Sequence, residues 1–394
     1  MNLKYKLNGD HTLYYSASNA RFSIDSPSVS EPVYMSTELI SLRLEISHSC
    51  NGACNYCIVF GNQIENLTHL NISEVWNWLN KQEWFSKIID IFIIGGEPML
   101  FFDDIVFILE HFKGTVSFST NGTLITSERA RILKNHNVRV YISLDGITKE
   151  ENRNRIYSDG RPMYDDIMQG LECLEAVGTR KGLFMVAVPE TVEKAGQLIK
   201  KLSQSYKFER IGYSMPHWTL NEQNVITPYQ YRDALLDLFK MRKQISSEVI
   251  QINWRIGALM EGKVKRFACA LHTQQITMLP NKELVRCSKI DHDPELKYIT
   301  NECLTNGSPL IQSHDNTSPC SRCVALCCCG GGCPYDGLRR FNSIIDKREC
   351  IVTPPLIEAA IHEIIEGLNN SFINGEIKAG ELSSQQIMSI LGGE

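Results

Sequence analysis

Strand-like and helix-like patterns alternate through the first half of the chain, and this alternation constrains the fold more than any other feature. Because parallel strands need long crossover connections, six such units predict an α/β fold, a partial (β/α)6 parallel barrel with helices outside. Functional residues should then lie at the carboxyl ends of the strands. The six apolar runs are Leu42–Ser47, Ile89–Ile94, Thr115–Ser119, Val138–Leu144, Leu183–Val188 and Arg210–Ser214.

Three cysteines follow the first predicted strand directly. Cys50, Cys54 and Cys57 form a Cys-x3-Cys-x2-Cys triplet. Three thiolates can bind three irons of a 4Fe-4S cluster and leave the fourth iron open to a small molecule. The alternative interpretation is three buried thiols without a metal.

The spacing of this triplet resembles that of the radical SAM enzymes. The resemblance implies that S-adenosylmethionine (AdoMet) chelates the open iron and is cleaved to a 5'-deoxyadenosyl radical. Tyr56 stands where that family places an aromatic residue against the adenine. Gly95-Gly96-Glu97 after the second strand resembles the family's "GGE" motif, whose backbone and Glu receive the methionyl amino group. Taken alone, a Gly-Gly pair is more often only a turn.

Small polar residues end the third and fourth predicted strands. Ser119 and Asn121 follow one strand, and Ser143 follows the other. Such groups can bind a ribose or a carboxylate, but they also make turns and helix caps. The run from Asp145 to Arg155 resembles a stretch of the peptide-modifying radical SAM enzymes, which implies that Ser143 and Arg155 contact the cofactor. Glu151-Asn152 departs from the His-Asp that is frequent in those relatives.

The C-terminal third contains a second set of cysteines. Zinc would be the ordinary interpretation of its Cys-x2-Cys pair. Beside a radical SAM barrel, the arrangement resembles the SPASM domain, a small cysteine-rich domain that binds two auxiliary 4Fe-4S clusters. The seven cysteines are Cys269, Cys287, Cys320, Cys323, Cys329, Cys333 and Cys350.

The SPASM resemblance also implies a division of these ligands. Cys269, Cys287 and Cys333 would bind the inner cluster, whereas Cys320, Cys323, Cys329 and Cys350 would fully ligate the outer one. The inner cluster would lack one ligand, which Cys303, Cys327, Cys328, or a substrate atom or water at an open iron could supply. The choice of Cys329 over its two neighbours rests only on spacing.

One departure from the SPASM pattern lies before Cys287. Relatives usually carry a glycine where this chain has Lys282. Because Asn tolerates the left-handed backbone conformation, Pro280-Asn281 is expected to make the hairpin bend there.

Charge and hydropathy exclude several other classes of function. A net charge of -5 and the lack of any Lys/Arg-rich block argue against nucleic-acid binding. No apolar run approaches the roughly 18 residues that a membrane span needs, and the N-terminus has no signal-peptide core. We therefore expect a cytoplasmic protein, in which crowded cysteines are metal ligands rather than disulfides.

The expected organisation has five parts. Residues 39–220 would form the barrel, 221–268 a helical bridge, 269–351 the SPASM domain with a short β-hairpin and helices, and 352–394 a C-terminal helix and tail. Residues 1–38 would form a β-ribbon that either pairs with a leader peptide or only covers the barrel. The predicted cofactors are AdoMet and three 4Fe-4S clusters.

The resemblance implies a peptide maturase. Such an enzyme would abstract hydrogen from a ribosomal precursor peptide and install a C-C, C-O or thioether crosslink, with flavodoxin or ferredoxin as electron donor. Trp218 or Tyr213 could line the substrate pocket. The alternatives are an anaerobic sulfatase-maturing enzyme that forms formylglycine, an electron-transfer module without cofactor cleavage, and a structural zinc protein.

Overall fold

The computed structural model describes most of the chain. The described residues are 2–8, 11–36, 38–61, 69–220, 222, 225–269, 275–293, 295–297, 318–373 and 379–392. Cys303, one of the candidates for the fourth ligand, lies outside these ranges.

The strands belong to two sheets. They are β1 (Asn2–Lys6), β2 (Thr12–Ser16), β3 (Arg21–Ile24), β4 (Ser41–Glu45), β5 (Asp90–Ile94), β6 (Thr115–Thr120), β7 (Arg139–Ser143), β8 (Lys181–Val186), β9 (Phe208–Ser214), β10 (Glu248–Val249), β11 (Gln275–Met278), β12 (Leu284–Val285) and β13 (Gly380–Glu381). Helices connect them: α1 (Ile58–Gly61), α2 (Ile72–Leu79), α3 (Phe102–His111), α4 (Ser127–Asn135), α5 (Tyr164–Val177), α6 (Ala195–Ser205), α7 (Pro228–Met241), α8 (Ile250–Glu261), α9 (Ser288–Asp291), α10 (Leu326–Cys329), α11 (Pro334–Phe341), α12 (Glu349–Ile373) and α13 (Ser384–Leu391).

The larger sheet contains the six strands that the sequence predicts. Its order is β10-β9-β8-β7-β6-β5-β4-β11-β12, and neighbouring strands from β4 to β9 are parallel. The α/β class with a parallel sheet is therefore confirmed. All six carboxyl ends lie on the same edge of the sheet, which is where the cysteine loop and the polar strand ends meet.

Strand β4 shows how the two faces of the sheet differ. Leu42 and Leu44 are completely buried, whereas Arg43 and Glu45 on the opposite face line a cavity. Successive side chains of a strand point to opposite faces, so one face packs under the helices while the other carries polar groups toward the site. The alternating sequence of β4 thus contributes side chains to both the core and the cavity wall.

The predicted SPASM hairpin continues the barrel sheet. Strand β11 pairs in parallel with β4, and β12 pairs antiparallel with β11. In the bend, the left-handed residue is Lys282, with φ of 70°, while the Asn281 side chain accepts a hydrogen bond from Glu283 N at 3.0 Å. The expectation that Asn281 takes the left-handed position is therefore wrong. Lys282 holds the position that relatives give to glycine, and the Asn281 side chain closes the turn.

The N-terminal strands form a separate antiparallel sheet in the order β1-β2-β3-β13. Its buried face packs on the cysteine-rich region, since the Tyr15 hydroxyl donates to Val324 O at 3.1 Å and contacts Cys327 Sγ at 3.1 Å. Strand β13 comes from the C-terminal segment and closes this sheet at β3. Both ends of the chain thus meet in one small sheet.

Helix α12 begins earlier than the pattern predicts. The C-terminal helix and tail are expected from residue 352, but α12 runs from Glu349 to Ile373 and includes Pro354 and Pro355. Proline lacks the N–H that interior helical positions need, which is why it usually marks a helix start. Here the buried Glu349 and Val352 hold the first turns in place. Among the helices described, none is long and apolar enough to cross a membrane.

Candidate active site

The three cysteines of the first motif lie in the loop between β4 and α1. Cys57 N donates to Cys54 O at 3.0 Å, which curls the loop into a tight turn. Ala53 N donates to Ile156 O at 2.8 Å, so the segment after β7 supports the loop from one side. None of the three cysteines is fully buried. The thiols are thus held on one ordered loop at the carboxyl end of β4.

The Gly95-Gly96 turn packs directly against this loop. Gly96 N donates to Ser47 O at 2.8 Å. A Cβ on Gly96 would lie 2.3 Å from Ser49 O, and one on Gly95 would lie 2.3 Å from Ser47 O. Such distances are shorter than any real contact, so only glycine permits this approach. The second strand end and the cysteine loop therefore form one surface.

The carboxylate of Glu97 is held by donors inside the protein and is not exposed to solvent. Its carboxylate is buried and accepts hydrogen bonds from Asn121 N at 2.6 Å, Thr120 Oγ1 at 2.7 Å and Met99 N at 2.9 Å. Burial raises the pKa of Glu97 to about 6, although these three donors oppose the shift. An ionised carboxylate has about four acceptor positions, so one is left for a ligand.

Asn121 links the third strand end to the cysteine loop. Its side-chain amide donates to Asn51 Oδ1 at 2.8 Å, and Asn51 in turn donates to Thr123 Oγ1 at 2.9 Å. Ser119 and Ser143 lie half-buried on the neighbouring strands β6 and β7. The structure therefore brings Asn121 to the loop and places both serines at the same edge of the sheet.

Arg155 and Tyr56 share a carboxylate that the sequence analysis did not assign. Arg155 donates to Asp145 Oδ1 at 2.8 Å, and the Tyr56 hydroxyl donates to Asp145 Oδ2. Burial by itself lowers the pKa of Arg155, but the negative charge of Asp145 outweighs it and the pKa is raised. Val186 N also donates to Asp145, at 2.9 Å. Asp145 could have been recognised as a strand-end acidic residue followed by glycine.

The departure at Glu151-Asn152 has a structural role. Asn152 donates to Gly146 O at 2.9 Å and accepts from Asp145 N at 2.8 Å. Glu151 accepts from Ile147 N and Thr148 N. Together these bonds close the loop that carries Arg155, so the two residues shape the site from behind.

Two buried donors in this region have no internal partner. Arg155 Nε and Asn154 Nδ2 make no hydrogen bond within the described part of the chain. Buried donors are normally paired with protein, water or a ligand, so both of these donors are available to a bound molecule. Tyr56, Asn55 and Asn154 line the same small cavity. A cofactor with carboxylate, ribose and adenine groups suits this donor set beside Cys54.

A larger cavity of about 390 Å³ adjoins the Gly-Gly turn. Gly95 and Glu45 line it from the barrel, and Lys289 and Arg339 line it from the cysteine-rich region. Trp218 also lines this cavity, whereas Tyr213 is completely buried and packs 5.9 Å from Tyr231, between ring centroids. Of the two aromatic candidates, only Trp218 is thus placed to contact a molecule here.

Two histidines lie beside Glu45, and one of them, His292, lines this cavity. His48 Nε2 lies 3.1 Å from Glu45 Oε1 and 3.2 Å from His292 Nε2. Both histidines escaped the sequence analysis because they come from segments 244 residues apart. The proximity of His48 to the cysteine motif is the only signal that the sequence offers.

Three of the C-terminal cysteines lie close to one another. Burial raises the pKa of Cys287, and the nearby Cys269 thiol acts in the same direction. Cys287 likewise contributes to the raised pKa of Cys333, after burial and Asp336. These are the three cysteines that the resemblance groups at an inner site.

Four other cysteines form a second group. The pKa of Cys350 is raised by burial and then by Cys320 and Cys323. The pKa of Cys329 is raised well above its ordinary value by burial and then by Glu349, with smaller effects of Cys323 and Cys350. These are the four cysteines that the resemblance assigns to the outer site.

Cys327 and Cys328 face a different environment. Their Sγ atoms lie 3.4 Å apart in the core, and Cys327 contacts the Tyr15 hydroxyl. Both thiols are completely buried. Their contacts therefore lie toward the N-terminal sheet.

A polar network adjoins Cys333. His217 Nδ1 lies 2.6 Å from Asp336 Oδ2 and 4.0 Å from Cys333 Sγ, and Lys289 Nζ lies 2.5 Å from His217 Nε2. Sequence reasoning missed His217 because it follows β9, far from the cysteines in the chain. Its histidine–carboxylate pair resembles the arrangement that orients groups around metal centres.

Comparison with known proteins connects this geometry to a family. Residues 44–202 match the sequence profile described as the radical SAM superfamily. The chain is 25% identical over 224 residues to the radical SAM cyclopropyl synthase TigE of Paramaledivibacter caminithermalis, a match over 51% of this chain and 44% of TigE. It is 30% identical over 169 residues to a probable GTP 3',8-cyclase of Methanopyrus kandleri, over 42% of this chain and 53% of that protein. The chain therefore spans about half the length of these curated relatives.

Solved structures share the fold. The anSMEcpe enzyme with bound AdoMet and the Cp18Cys peptide superposes with a TM-score of 0.63 at 18% identity, over 84% of this chain and 99% of that chain. Streptococcus suis SuiB bound to precursor peptide SuiA gives a TM-score of 0.57 at 16% identity, over 80% and 76% of the two chains.

Proposed function

Because residues 44–202 form a radical SAM domain, we propose that this chain is a radical SAM maturase of a ribosomally made precursor peptide, with a SPASM-type auxiliary domain. The product would be an oxidative C-C, C-O or thioether crosslink between side chains of the peptide. The observation that carries the proposal is the joint surface of the cysteine loop and the Gly95-Gly96 turn, beside a cavity of about 390 Å³.

The radical SAM domain implies AdoMet and one 4Fe-4S cluster. When bound, this pair supplies a 5'-deoxyadenosyl radical. Cys50, Cys54 and Cys57 would hold the cluster. Arg155 Nε and Asn154 Nδ2 would donate to polar groups of AdoMet, because they are buried donors without an internal partner among the described residues.

The two C-terminal cysteine groups would hold auxiliary 4Fe-4S clusters. Forming a crosslink removes two hydrogens from the peptide, so one electron remains after the radical step and needs an acceptor. The clusters would supply this acceptor, with the inner one held by Cys269, Cys287 and Cys333 and the outer one by Cys320, Cys323, Cys329 and Cys350. Flavodoxin or ferredoxin would supply the electron that starts the reaction.

A peptide substrate is supported by the structural neighbours. SuiB binds its precursor peptide SuiA, and anSMEcpe binds the Cp18Cys peptide. Leader contact by residues 1–38 stays a proposal. Among the strands that the structure describes, β1 is an edge of its sheet with β2 as its neighbour, so an extended peptide could add to its other side.

Reductive cleavage of AdoMet tests the enzymatic class. Anaerobic cluster-loaded protein, mixed with AdoMet and dithionite, should release 5'-deoxyadenosine. Cys50→Ala should abolish release, whereas Cys320→Ala should retain it and fail to complete the peptide product. Cys173→Ala is the matched control, since Cys173 lies in α5 and belongs to none of the three cysteine groups. Release by Cys50→Ala at the wild-type rate would contradict the proposal.

Co-expression tests the substrate. The chain should be produced anaerobically with each short reading frame beside its gene, and the peptides should be analysed by tandem mass spectrometry. Loss of two hydrogens with suppressed fragmentation between two residues would identify a crosslink. An aldehyde that reacts with a hydrazine probe would instead identify formylglycine, the product of a sulfatase-maturing enzyme.

A further inference from the structure

Glu45, His48 and His292 converge on one point, although His292 lies 244 residues from His48 in the chain. Glu45 ends β4, His48 lies in the loop before the first cysteine, and His292 caps α9. His48 Nε2 lies 3.1 Å from Glu45 Oε1, His292 Nε2 lies 3.4 Å from Glu45 Oε2, and the two Nε2 atoms are 3.2 Å apart. These three side chains are called the Glu45 triad below.

The distances within the Glu45 triad fit a bound metal ion. Zinc binds histidine nitrogen and carboxylate oxygen at about 2.0–2.1 Å in a tetrahedron, whose corners are then about 3.4 Å apart. Hydrogen bonds alone satisfy the three atoms poorly, because each Nε2 carries at most one proton and cannot donate to two partners. Two histidines and one carboxylate are also a common ligand set for divalent transition metals.

The cavity wall carries no excess of positive charge, because it contains three acidic and three basic side chains: Glu45, Asp293, Glu295, Arg43, Lys289 and Arg339. Glu45 is buried, and its carboxylate lies beside both histidines. Arg339, which lines the same cavity, is neutralised by ion pairs with Asp293 and Glu295. Lys289 contacts His217, and Arg43 lies 5.5 Å from the centre of the Phe92 ring.

One side of the triad faces the cavity. Glu45 and His292 line the cavity of about 390 Å³, while His48 is buried behind them. Three protein ligands leave a fourth position of a tetrahedral ion open, and here it would point toward the space beside Gly95. That position could take water or an anionic group of a substrate.

We propose that Glu45, His48 and His292 bind a divalent transition metal ion, with zinc as the probe, at the wall of the cavity. This site is separate from the cysteine groups and does not depend on the proposed function. It would hold a molecule in the cavity through the open coordination position.

Metal analysis of the cluster-loaded protein tests the proposal. The protein is incubated anaerobically with excess Zn²⁺ and dialysed, and zinc and iron per chain are measured by mass spectrometry. We expect about one zinc per wild-type chain and loss of at least tenfold in His292→Ala, with iron unchanged. His69→Ala is the matched control, because His69 also pairs with a carboxylate, Asp104, at 2.6 Å, but on the surface. His292→Gln, which keeps the side-chain volume, replaces His292→Ala if that variant does not fold.

X-ray absorption at the zinc edge distinguishes this site from zinc in a cysteine group. Ligation by the triad gives nitrogen and oxygen neighbours at about 2.0–2.1 Å, whereas thiolates give sulfur at about 2.3 Å. Nitrogen and oxygen neighbours that disappear in the His292 variant would support the proposal. A wild-type protein that retains no zinc, equal zinc in the variant, or a sulfur shell would overturn it.

Discussion

Single residues decide how closely the strand ends of this protein approach. At Gly95 and Gly96 the backbone touches the cysteine loop at distances that exclude a side chain. At Glu97 a buried carboxylate joins the same turn to the end of β6 through Thr120 and the backbone of Asn121. The geometry of the site therefore depends on two absent Cβ atoms and one buried carboxyl group.

Gly96→Ala should destabilise the protein and displace the cysteine loop. The added Cβ would lie 2.3 Å from Ser49 O, and relief of such a clash requires backbone shifts that cost about 1–3 kcal/mol. Unfolding by denaturant measures this cost. Gly257→Ala is the control, since its Cβ meets nothing within 4 Å inside helix α8 and should be neutral or stabilising by about 1 kcal/mol. Equal stability of the two variants would contradict the argument.

Because of Glu97, we expect the free energy of unfolding to increase as the pH falls from about 6 toward 4.5. Burial raises its pKa from 4.5 to about 6 in the folded state, so folding favours the protonated form. The penalty is absent below pH 4.5 and fully present above about 6, with an upper limit of about 2 kcal/mol. Comparing unfolding of wild type and Glu97→Gln from pH 4.5 to 7 measures it. Glu128→Gln, which changes an exposed carboxyl group in the same way, is the control for the substitution itself.

At the scale of elements, loops at the carboxyl ends of strands carry the site, and helices from the C-terminal half support it. Helix α8 and helix α12 are joined by a buried ion pair between Arg255 and Glu349 at 2.7 Å, with Thr353 contacting both. Glu349 also lies near Cys329. The pair thus connects a barrel-flanking helix to the first turns of α12, beside Cys329 of the outer cysteine group.

Arg255→Met should cost about 3–5 kcal/mol of the free energy of unfolding, because Glu349 would keep a buried charge without its partner. Denaturant unfolding measures the loss. Arg232→Met is the control, since its partner Asp233 is largely exposed and such a surface pair contributes less than about 1 kcal/mol. If both variants lose the same amount, the buried pair does not stabilise the contact between α8 and α12.

At the scale of the whole molecule, the predicted parts are joined rather than separate. The hairpin of the cysteine-rich region extends the barrel sheet at β4, and the N-terminal sheet packs on the helix with Cys327. Strand β13 then returns the C-terminal segment to the N-terminal sheet. A disturbance at the N-terminus should therefore reach the cysteine groups.

Tyr15→Ala should destabilise the chain by about 3–5 kcal/mol, because it leaves a cavity under the N-terminal sheet. The same change should speed the loss of iron from the cluster-loaded protein, since Tyr15 contacts Val324 and Cys327. Tyr14→Ala, on the less buried face of the same strand, should lose far less of either. Iron release under a chelator, measured beside unfolding, would refute the coupling if the two variants behave alike.

The sequence by itself determined the order of strands, the cysteine loop and the Gly-Gly turn. These features depend on local patterns, namely alternating apolar residues, cysteine spacing and residues that permit special backbone conformations. The ends of the six predicted strands lie within about two residues of the observed ends. For example, the predicted strand Leu42–Ser47 corresponds to the observed strand Ser41–Glu45.

Only the tertiary structure decided which distant polar groups meet. Asp145 joins Tyr56 and Arg155, and His292 approaches His48 across 244 residues of chain. A polar side chain has the same local pattern whether it faces solvent or a buried partner, so its contacts follow from how strand ends and loops pack together. The sequence could therefore predict the elements that carry the site, while the fold selected the charges and donors that complete it.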